Sequence, residues 1–126
     1  MQGTVLEQVV INGRTLPASN TLSGEAGTPL EAVISDNSTD KVVSWTLDVS
    51  QVAMVYILSD QDITLETNDG STPDDTLALK AGIPYVWYTD KYDSLIFTAD
   101  VSILYVTNAS GEDATLQIET LYDATP

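Results

Sequence analysis

The chain has 126 residues, of which 43% are apolar and 18% charged, which is enough apolar material for the core of one ordinary domain. It contains no cysteine and no histidine, which excludes disulfides, thiolate chemistry and catalysis or metal binding by imidazole. Nineteen acidic and four basic residues give a net charge of −15, and such a surface repels the phosphates of nucleic acids.

The first 29 residues are predicted to form an N-terminal strand with a flexible arm or loop. The opening MQGTVLEQVVING lacks the basic leader and continuous apolar segment of a secretory signal, and no segment is long and apolar enough to be predicted as a membrane span. A strand is predicted at 4–11. Residues 12–29 are rich in Ser, Gly, Thr and Pro, with Leu16 and Leu22 as apolar residues, which indicates a long loop or an arm.

The rest of the chain, 30–126, is predicted to be a β-sandwich within a single compact domain. Apolar and polar residues alternate with period two, and segments rich in Gly, Pro, Asn and Asp recur at intervals of about 8 to 12 residues. This rhythm predicts an all-β, antiparallel, jelly-roll-like sandwich of about 8 to 10 short strands. Further strands are predicted at 28–35, 41–47, 52–59, 62–68, 76–80, 85–89, 94–98, 101–107 and 114–122.

The alternation also predicts which side chains face the core. Val43, Trp45 and Leu47 share one face of their segment, and polar residues share the other. The segments VAMVYIL and SILYV are apolar on both faces. They are therefore predicted to be central strands, or strands whose outer face another subunit covers.

An acidic segment, SDQDITLETNDGSTPDD, contains the carboxylates that hard cations such as Ca²⁺ prefer. Its spacing does not match an EF-hand loop, and Asp-capped turns facing solvent are the favoured interpretation. A glycosidase could use a pair of carboxylates, but nothing singles out one pair among nineteen acids. No catalytic, cofactor-binding or metal-binding residue is therefore predicted, and no enzymatic activity.

A cluster of aromatic residues occurs in the segment PYVWYTDKY. Tyr85 and Trp87 are predicted on one face of a strand, and Val86 and Tyr88 on the other. Packing against the core is the favoured interpretation, followed by a protein interface and then by a platform for sugars. The two N-x-S/T sequons, at Asn37 and Asn108, are predicted to lie in turns.

Residues 45–126 contain a run of segments that resembles small virion proteins from the structural gene clusters of tailed phages. The segments are DITLETNDGS, TLALKAGIPYVW and TADVSILYVTNASG, followed by a last strand that ends the chain. The resemblance implies a capsid decoration, or cement, protein. Such a protein is a jelly-roll-like domain, commonly trimeric, that binds the outside of the head and stabilises the shell.

The resemblance implies partners and a location as well. We expect a homotrimer bound to the major capsid protein on the virion exterior, made in the host cytoplasm, with no nucleic-acid or membrane partner. Residues 1–29 are the expected attachment region, because they are polar, Gly-rich and able to order on binding. The residues expected at the subunit or capsid interface are Val5, Leu16, Leu22, Tyr56, Tyr85, Trp87, Tyr88 and Tyr105. The alternative is a carbohydrate-binding sandwich module of a phage fibre or spike.

Overall fold

The computed structural model describes residues 2–123, and these form eleven strands joined by turns and loops. No helix occurs among the described residues, so none of them forms a helix that could cross a membrane. The strands are β1 (Gln2–Ile11), β2 (Arg14–Ser23), β3 (Glu25–Ala26), β4 (Leu30–Ile34), β5 (Ser38–Val43), β6 (Val52–Ser59), β7 (Ile63–Thr67), β8 (Thr76–Leu79), β9 (Tyr85–Tyr88), β10 (Leu104–Asn108) and β11 (Ala114–Tyr122).

Two antiparallel sheets pack together, which confirms the predicted all-β sandwich. One sheet has the order β5-β10-β7-β8. The other has the order β3-β11-β6-β9, and β4 pairs with β11 on the same side as β3. We call these the four-stranded and the five-stranded sheet. The hairpin of β1 and β2 forms a third, separate sheet.

The pairings of the sandwich strands are nested along the chain. The outermost pair is β4 with β11, and inside it come β5 with β10, β6 with β9, and β7 with β8. Two further pairings, β6 with β11 and β7 with β10, join these hairpins side by side. The chain from β4 to β11 thus forms one long antiparallel double strand, which folds over to make both sheets.

The core lies between the inner faces of the two sheets. Val55, Ile57 and Leu116 of the five-stranded sheet are fully buried, as are Leu65 and Leu104 of the four-stranded sheet. The predicted inward set of Val43, Trp45 and Leu47 is buried as well. These side chains supply the main stabilising free energy, at roughly 25 cal/mol for each Å² of apolar surface removed from water.

A buried asparagine joins the two sheets at one end of the sandwich. Asn108, the last residue of β10, has no exposed surface. Its Nδ2 donates to the carbonyls of Ile34 (2.9 Å) and Glu112 (2.8 Å), and its Oδ1 accepts from the backbone N–H (3.0 Å) and hydroxyl (2.7 Å) of Ser110. Asn108, one of the two sequon residues, therefore has a structural role at the start of the turn between β10 and β11. The other sequon residue, Asn37, lies in a turn with a positive φ of 62°.

Several predicted strands differ from the observed ones. The strand predicted at 41–47 ends at Val43, and Leu47 makes only an isolated bridge with Val101. The strand predicted at 94–98 is wrong, because side chains satisfy its backbone N–H groups. The N–H of Ile96 donates to the Tyr85 hydroxyl (3.0 Å), and that of Thr98 donates to Asp75 (2.8 Å). Phe97 is nevertheless buried in the core.

Candidate interaction surface

The hairpin of β1 and β2, which we call the arm, is the part of the molecule least predicted by the sequence. Ile11 pairs with Arg14, so Asn12 and Gly13 form a two-residue turn, with φ values of 51° and 76°. Positive φ at both central positions defines a type I′ turn, for which Asn-Gly is the strongest sequence signal. Residues 14–23, predicted to be loop or arm, form a ten-residue strand.

Pro17 lies within β2 and explains why that strand was not predicted. Proline has no N–H to donate to a ladder, so a proline argues against a strand assignment. Here Pro17 pairs with Gln8, three positions from the Ile11–Arg14 pair at the turn. Hydrogen-bonded and non-hydrogen-bonded pairs alternate along an antiparallel ladder, which places Pro17 in a non-hydrogen-bonded pair. Its missing N–H therefore costs the hairpin no hydrogen bond.

The inner half of the arm lies on the outer face of the five-stranded sheet. A Cβ atom built on Gly3 would come within 2.8 Å of the Met54 Sδ and 3.3 Å of a Leu121 methyl carbon, so β1 lies directly against these two side chains. Further along β1, the Glu7 carboxylate accepts a hydrogen bond from the Tyr88 hydroxyl at 3.0 Å. The arm thus crosses from β11 and β6 to the edge strand β9.

No other part of residues 2–123 covers the outer half of the arm. Every residue from 6 to 21 is exposed, including five large apolar ones. Their exposed fractions are Leu6 77%, Val9 51%, Val10 60%, Ile11 55% and Leu16 42%. A two-stranded hairpin is marginally stable on its own in water, and an apolar surface of this kind marks an interaction site.

The outer face of the five-stranded sheet is organised in rows of paired residues. Leu121, Met54 and Tyr88 form the row that the arm covers. The next row is Glu119, Tyr56 and Val86, followed by Gln117 and Leu58. The contacts that the arm makes at Gly3 and Glu7 do not involve these two rows. Tyr56 borders a groove of about 390 Å³ whose walls include Glu31, Gln117 and Glu119.

The structure places the expected interface residues in four different surroundings. Val5 and Leu22 are half-buried in the inner half of the arm, while Leu16 is exposed in the outer half. Tyr88 and Tyr56 lie on the outer face of the five-stranded sheet, Tyr88 in contact with the arm and Tyr56 in the neighbouring row. Two groups of the expected residues lie elsewhere, namely Tyr105 on the outer face of the four-stranded sheet, and Tyr85 and Trp87 on the inner side of β9.

The aromatic residues of β9 are held by specific contacts. The Tyr85 ring meets Phe97 edge to face at 6.4 Å, and the Trp87 Nε1–H donates to the carbonyl of Asp93 at 3.0 Å. Burial raises the pKa of Tyr85, although the Ile96 N–H opposes this shift. The hydrogen bond to the Glu7 carboxylate raises the pKa of Tyr88. Tyr85 and Trp87 thus pack against the core as favoured.

The carboxylates of the acidic segment accept hydrogen bonds, and only Asp69 caps its own turn as predicted, whereas Asp60, Asp62 and Asp75 bond residues distant in the chain. Asp60 accepts from the N–H of Thr115, and Asp62 from that of Ala81, at 2.7 and 2.8 Å. Asp69 accepts from two N–H groups of its own turn, which lowers its pKa, and Asp75 accepts from the backbone and hydroxyl of Thr98. Within residues 2–123, no three potential metal-ligating side chains group together as a metal would require.

Comparisons with models of protein families, with curated proteins and with solved structures found no match for this chain. The functional surface must therefore be judged on its own geometry. Sequence reasoning missed the arm as a regular hairpin. The signal that could have found it is the Asn12-Gly13 pair after a strand that ends in three β-branched residues, with Leu16 and Leu22 in register on the other side.

Proposed function

We propose that this protein is a non-enzymatic structural protein of a virion, an oligomer, most simply a trimer, that decorates the outer surface of a phage capsid. Its partners in this proposal are further copies of itself and the major capsid protein. The proposal places it on the capsid exterior after synthesis in the host cytoplasm. The sequence resemblance of residues 45–126 motivates it.

The observation that carries the proposal is the exposed apolar arm. Large apolar side chains on both strands of a marginally stable hairpin favour burial against another protein surface. Decoration requires such a contact and no active site. A protein that binds only the assembled shell stabilises that shell by mass action.

The nested strand order gives further support. Eight strands, β4 to β11, pair in the nested fashion expected when four hairpins are rolled into two sheets. We propose that this is a jelly roll, the architecture found in many capsid proteins. The topology alone does not define a function, because one fold serves many functions.

The test is binding to undecorated heads purified from the phage whose genome encodes the chain. We expect sedimentation of the protein with the heads to saturate at a fixed ratio to the major capsid protein. Decorated heads should also withstand a higher temperature before releasing DNA. The absence of binding at about 10 µM protein would refute the proposal, because specific assembly contacts typically have a Kd below this concentration.

A carbohydrate-binding module is the second candidate, and one groove favours it. The arm and the turn after β9 enclose about 500 Å³ lined by Tyr88, Tyr92, Asn20, Asp90 and Lys91. Tyr92 is fully exposed, and aromatic rings beside amide and carboxylate groups are suited to stacking on and bonding to a sugar. A glycan array tests this candidate, and Tyr92→Ala should abolish any signal that arises from this groove.

A further inference from the structure

The arm has a chemical character different from the rest of the molecule. Residues 2–23 contain one acid, Glu7, and one base, Arg14, so the arm is net neutral. Residues 24–126 contain eighteen acids against three lysines and carry the whole net charge of −15. Two copies of this body repel each other, whereas the arm of one copy can approach the body of another without repulsion.

The exposed apolar side of the outer arm continues the side that packs on the sheet. Side chains alternate between the two faces of a strand, so Val9 and Ile11 lie on the same face as Gly3 and Glu7. Leu16 pairs with Val9 across the hairpin and therefore lies on the same face. The inner half of this face covers the row of Leu121, Met54 and Tyr88, and the outer half presents a similar apolar surface to solvent.

A matching surface exists beside the covered row on the five-stranded sheet. Its apolar members are Tyr56, Leu58 and Val86, which are half-buried. Two exposed carboxylates, Glu31 and Glu119, border Tyr56 in the groove described above. This surface therefore offers apolar contact together with negative charge, and the arm offers apolar contact together with Arg14 beside its tip.

We propose that the outer half of the arm binds a second copy of the chain, on the sheet surface formed by Tyr56, Leu58, Val86, Glu31 and Glu119. Val9, Ile11 and Leu16 pack on the apolar residues, and Arg14 pairs with the two glutamates. The contact joins two different surfaces, so successive copies close into a ring if the rotation between them allows it. The inference names the contact of the proposed oligomer and does not depend on binding to a shell.

The absence of cysteine makes this contact testable by selective cross-linking. Two differently tagged single-cysteine proteins, Ala18→Cys and Gln117→Cys, are mixed and oxidised. Ala18 is exposed on the same face of the arm as Val9 and Leu16, Gln117 lies in the acceptor groove, and both variants retain the residues proposed to make the contact. We expect a disulfide-linked heterodimer, which can form only between two molecules.

The matched control pairs Ala18→Cys with Ala78→Cys, an exposed position on the outer face of the four-stranded sheet. This pair should cross-link at least about tenfold more slowly, a ratio that corresponds to about 1.4 kcal/mol. Equal rates for the two pairs would overturn the inference. So would a strictly monomeric wild-type protein in light scattering at about 100 µM, a concentration above the Kd of ordinary specific contacts.

A charge-reversal exchange distinguishes the pairing of Arg14 with the glutamates from non-specific apolar association of the arm. Arg14→Glu and Glu119→Arg should each weaken self-association about tenfold or more. A mixture of the two variants should associate again, because each restores the charge that the other lacks. Circular dichroism verifies that both fold. If the mixture stays as weak as either variant alone, the arm does not bind at this surface.

The two proposals fail in different ways. A protein that binds heads but is monomeric and gives no specific cross-link would keep the proposed function and lose the arm contact, with the shell itself as the partner of the arm. A protein that cross-links specifically but ignores heads would keep the arm contact and lose the decoration function.

Discussion

Asn108 shows how much a single buried polar residue contributes to this sandwich. Its amide makes four hydrogen bonds to three residues, and those partners belong to β4 and to the turn between β10 and β11. A buried polar group that loses its partner costs about 1 to 3 kcal/mol, because its desolvation is no longer compensated.

Asn108→Ala should therefore lower the free energy of unfolding by about 2 to 3 kcal/mol, measured by urea denaturation. The alanine removes the amide donor of the Ile34 carbonyl and one of the two donors of the Glu112 carbonyl, which also accepts from the Ser110 hydroxyl. Asn20→Ala, at an exposed position of the arm, is the control and should change stability by less than about 0.5 kcal/mol. Equal effects of the two changes would contradict the structural role of Asn108.

Glu66 is a second residue with a measurable effect, in this case a destabilising one. Partial burial, and then the nearby Asp40 carboxylate, raise its pKa above the ordinary value of 4.5. A raised pKa means that the folded state favours the protonated form. The protonated Glu66 carboxyl contributes fully to the stability of the folded state at a pH below the unfolded-state pKa. This contribution is lost as the pH rises through the folded-state pKa.

Glu66→Gln should accordingly raise the Tm near pH 7 and leave it unchanged near pH 3 or below, where the wild-type carboxyl is protonated. Asp40→Asn removes the same repulsion, so the two changes together should gain less than the sum of the separate gains. Thermal denaturation across this pH range measures both effects. A Tm difference that is constant with pH would show that the charge of Glu66 is not the cause.

At the level of elements, we expect the arm to unfold independently of the sandwich, and two glycines allow this to be tested. Gly13 is in the turn of the arm and Gly111 in the turn between β10 and β11, with φ values of 76° and 97°. No other atom lies within 4 Å of a Cβ built at either position. Alanine at each therefore introduces backbone strain of about 1 kcal/mol without a clash.

Gly111→Ala should lower the stability of the whole sandwich by about 1 kcal/mol, because its turn joins two core strands. Gly13→Ala should speed hydrogen exchange of the arm amides and leave the unfolding midpoint of the body unchanged. A drop in the body's midpoint on Gly13→Ala would mean that arm and body unfold as one cooperative unit.

The sandwich strands were predictable from the sequence because their burial pattern is local. In β11 the alternation of apolar residues matches the observed inward side chains, β6 is the central strand that its two apolar faces predicted, and both strands have the predicted bounds. Segment 94–98 has a similar composition, but side chains distant in sequence satisfy its N–H groups, and alternation carries no information about them. The β2 strand was missed because proline argues against a strand. Pro17 is tolerated there because it occupies a non-hydrogen-bonded pair of the hairpin.

The candidate site was less predictable than the fold, since it depends on which elements are neighbours. Val5, Leu22 and Tyr88 come together only because the arm crosses the sheet to reach β9. Tyr105, with a similar strand context, lies on the other sheet. Composition also conceals the charge segregation between the neutral arm and the acidic body, because the net charge of −15 is a property of the whole chain.

At the scale of the whole molecule, this segregation predicts an unusual response to salt. Association through the arm brings two bodies of net charge −15 together, and the repulsion extends over a Debye length, about 10 Å at 0.1 M salt. Added salt screens this repulsion and also weakens the pairing of Arg14 with its glutamates. The repulsion involves many charges and the attraction one, so screening of the repulsion dominates.

We therefore expect self-association to strengthen when salt rises from about 20 mM to about 200 mM, as measured by sedimentation velocity. Arg14→Glu removes the attractive pair and adds repulsion, so its association should be weaker throughout and should increase more steeply with salt. Dissociation of the wild-type oligomer by salt would instead mean that ion pairs dominate the interface. In that case the apolar side chains of the arm, Val9, Ile11 and Leu16, would not be the main source of the binding free energy.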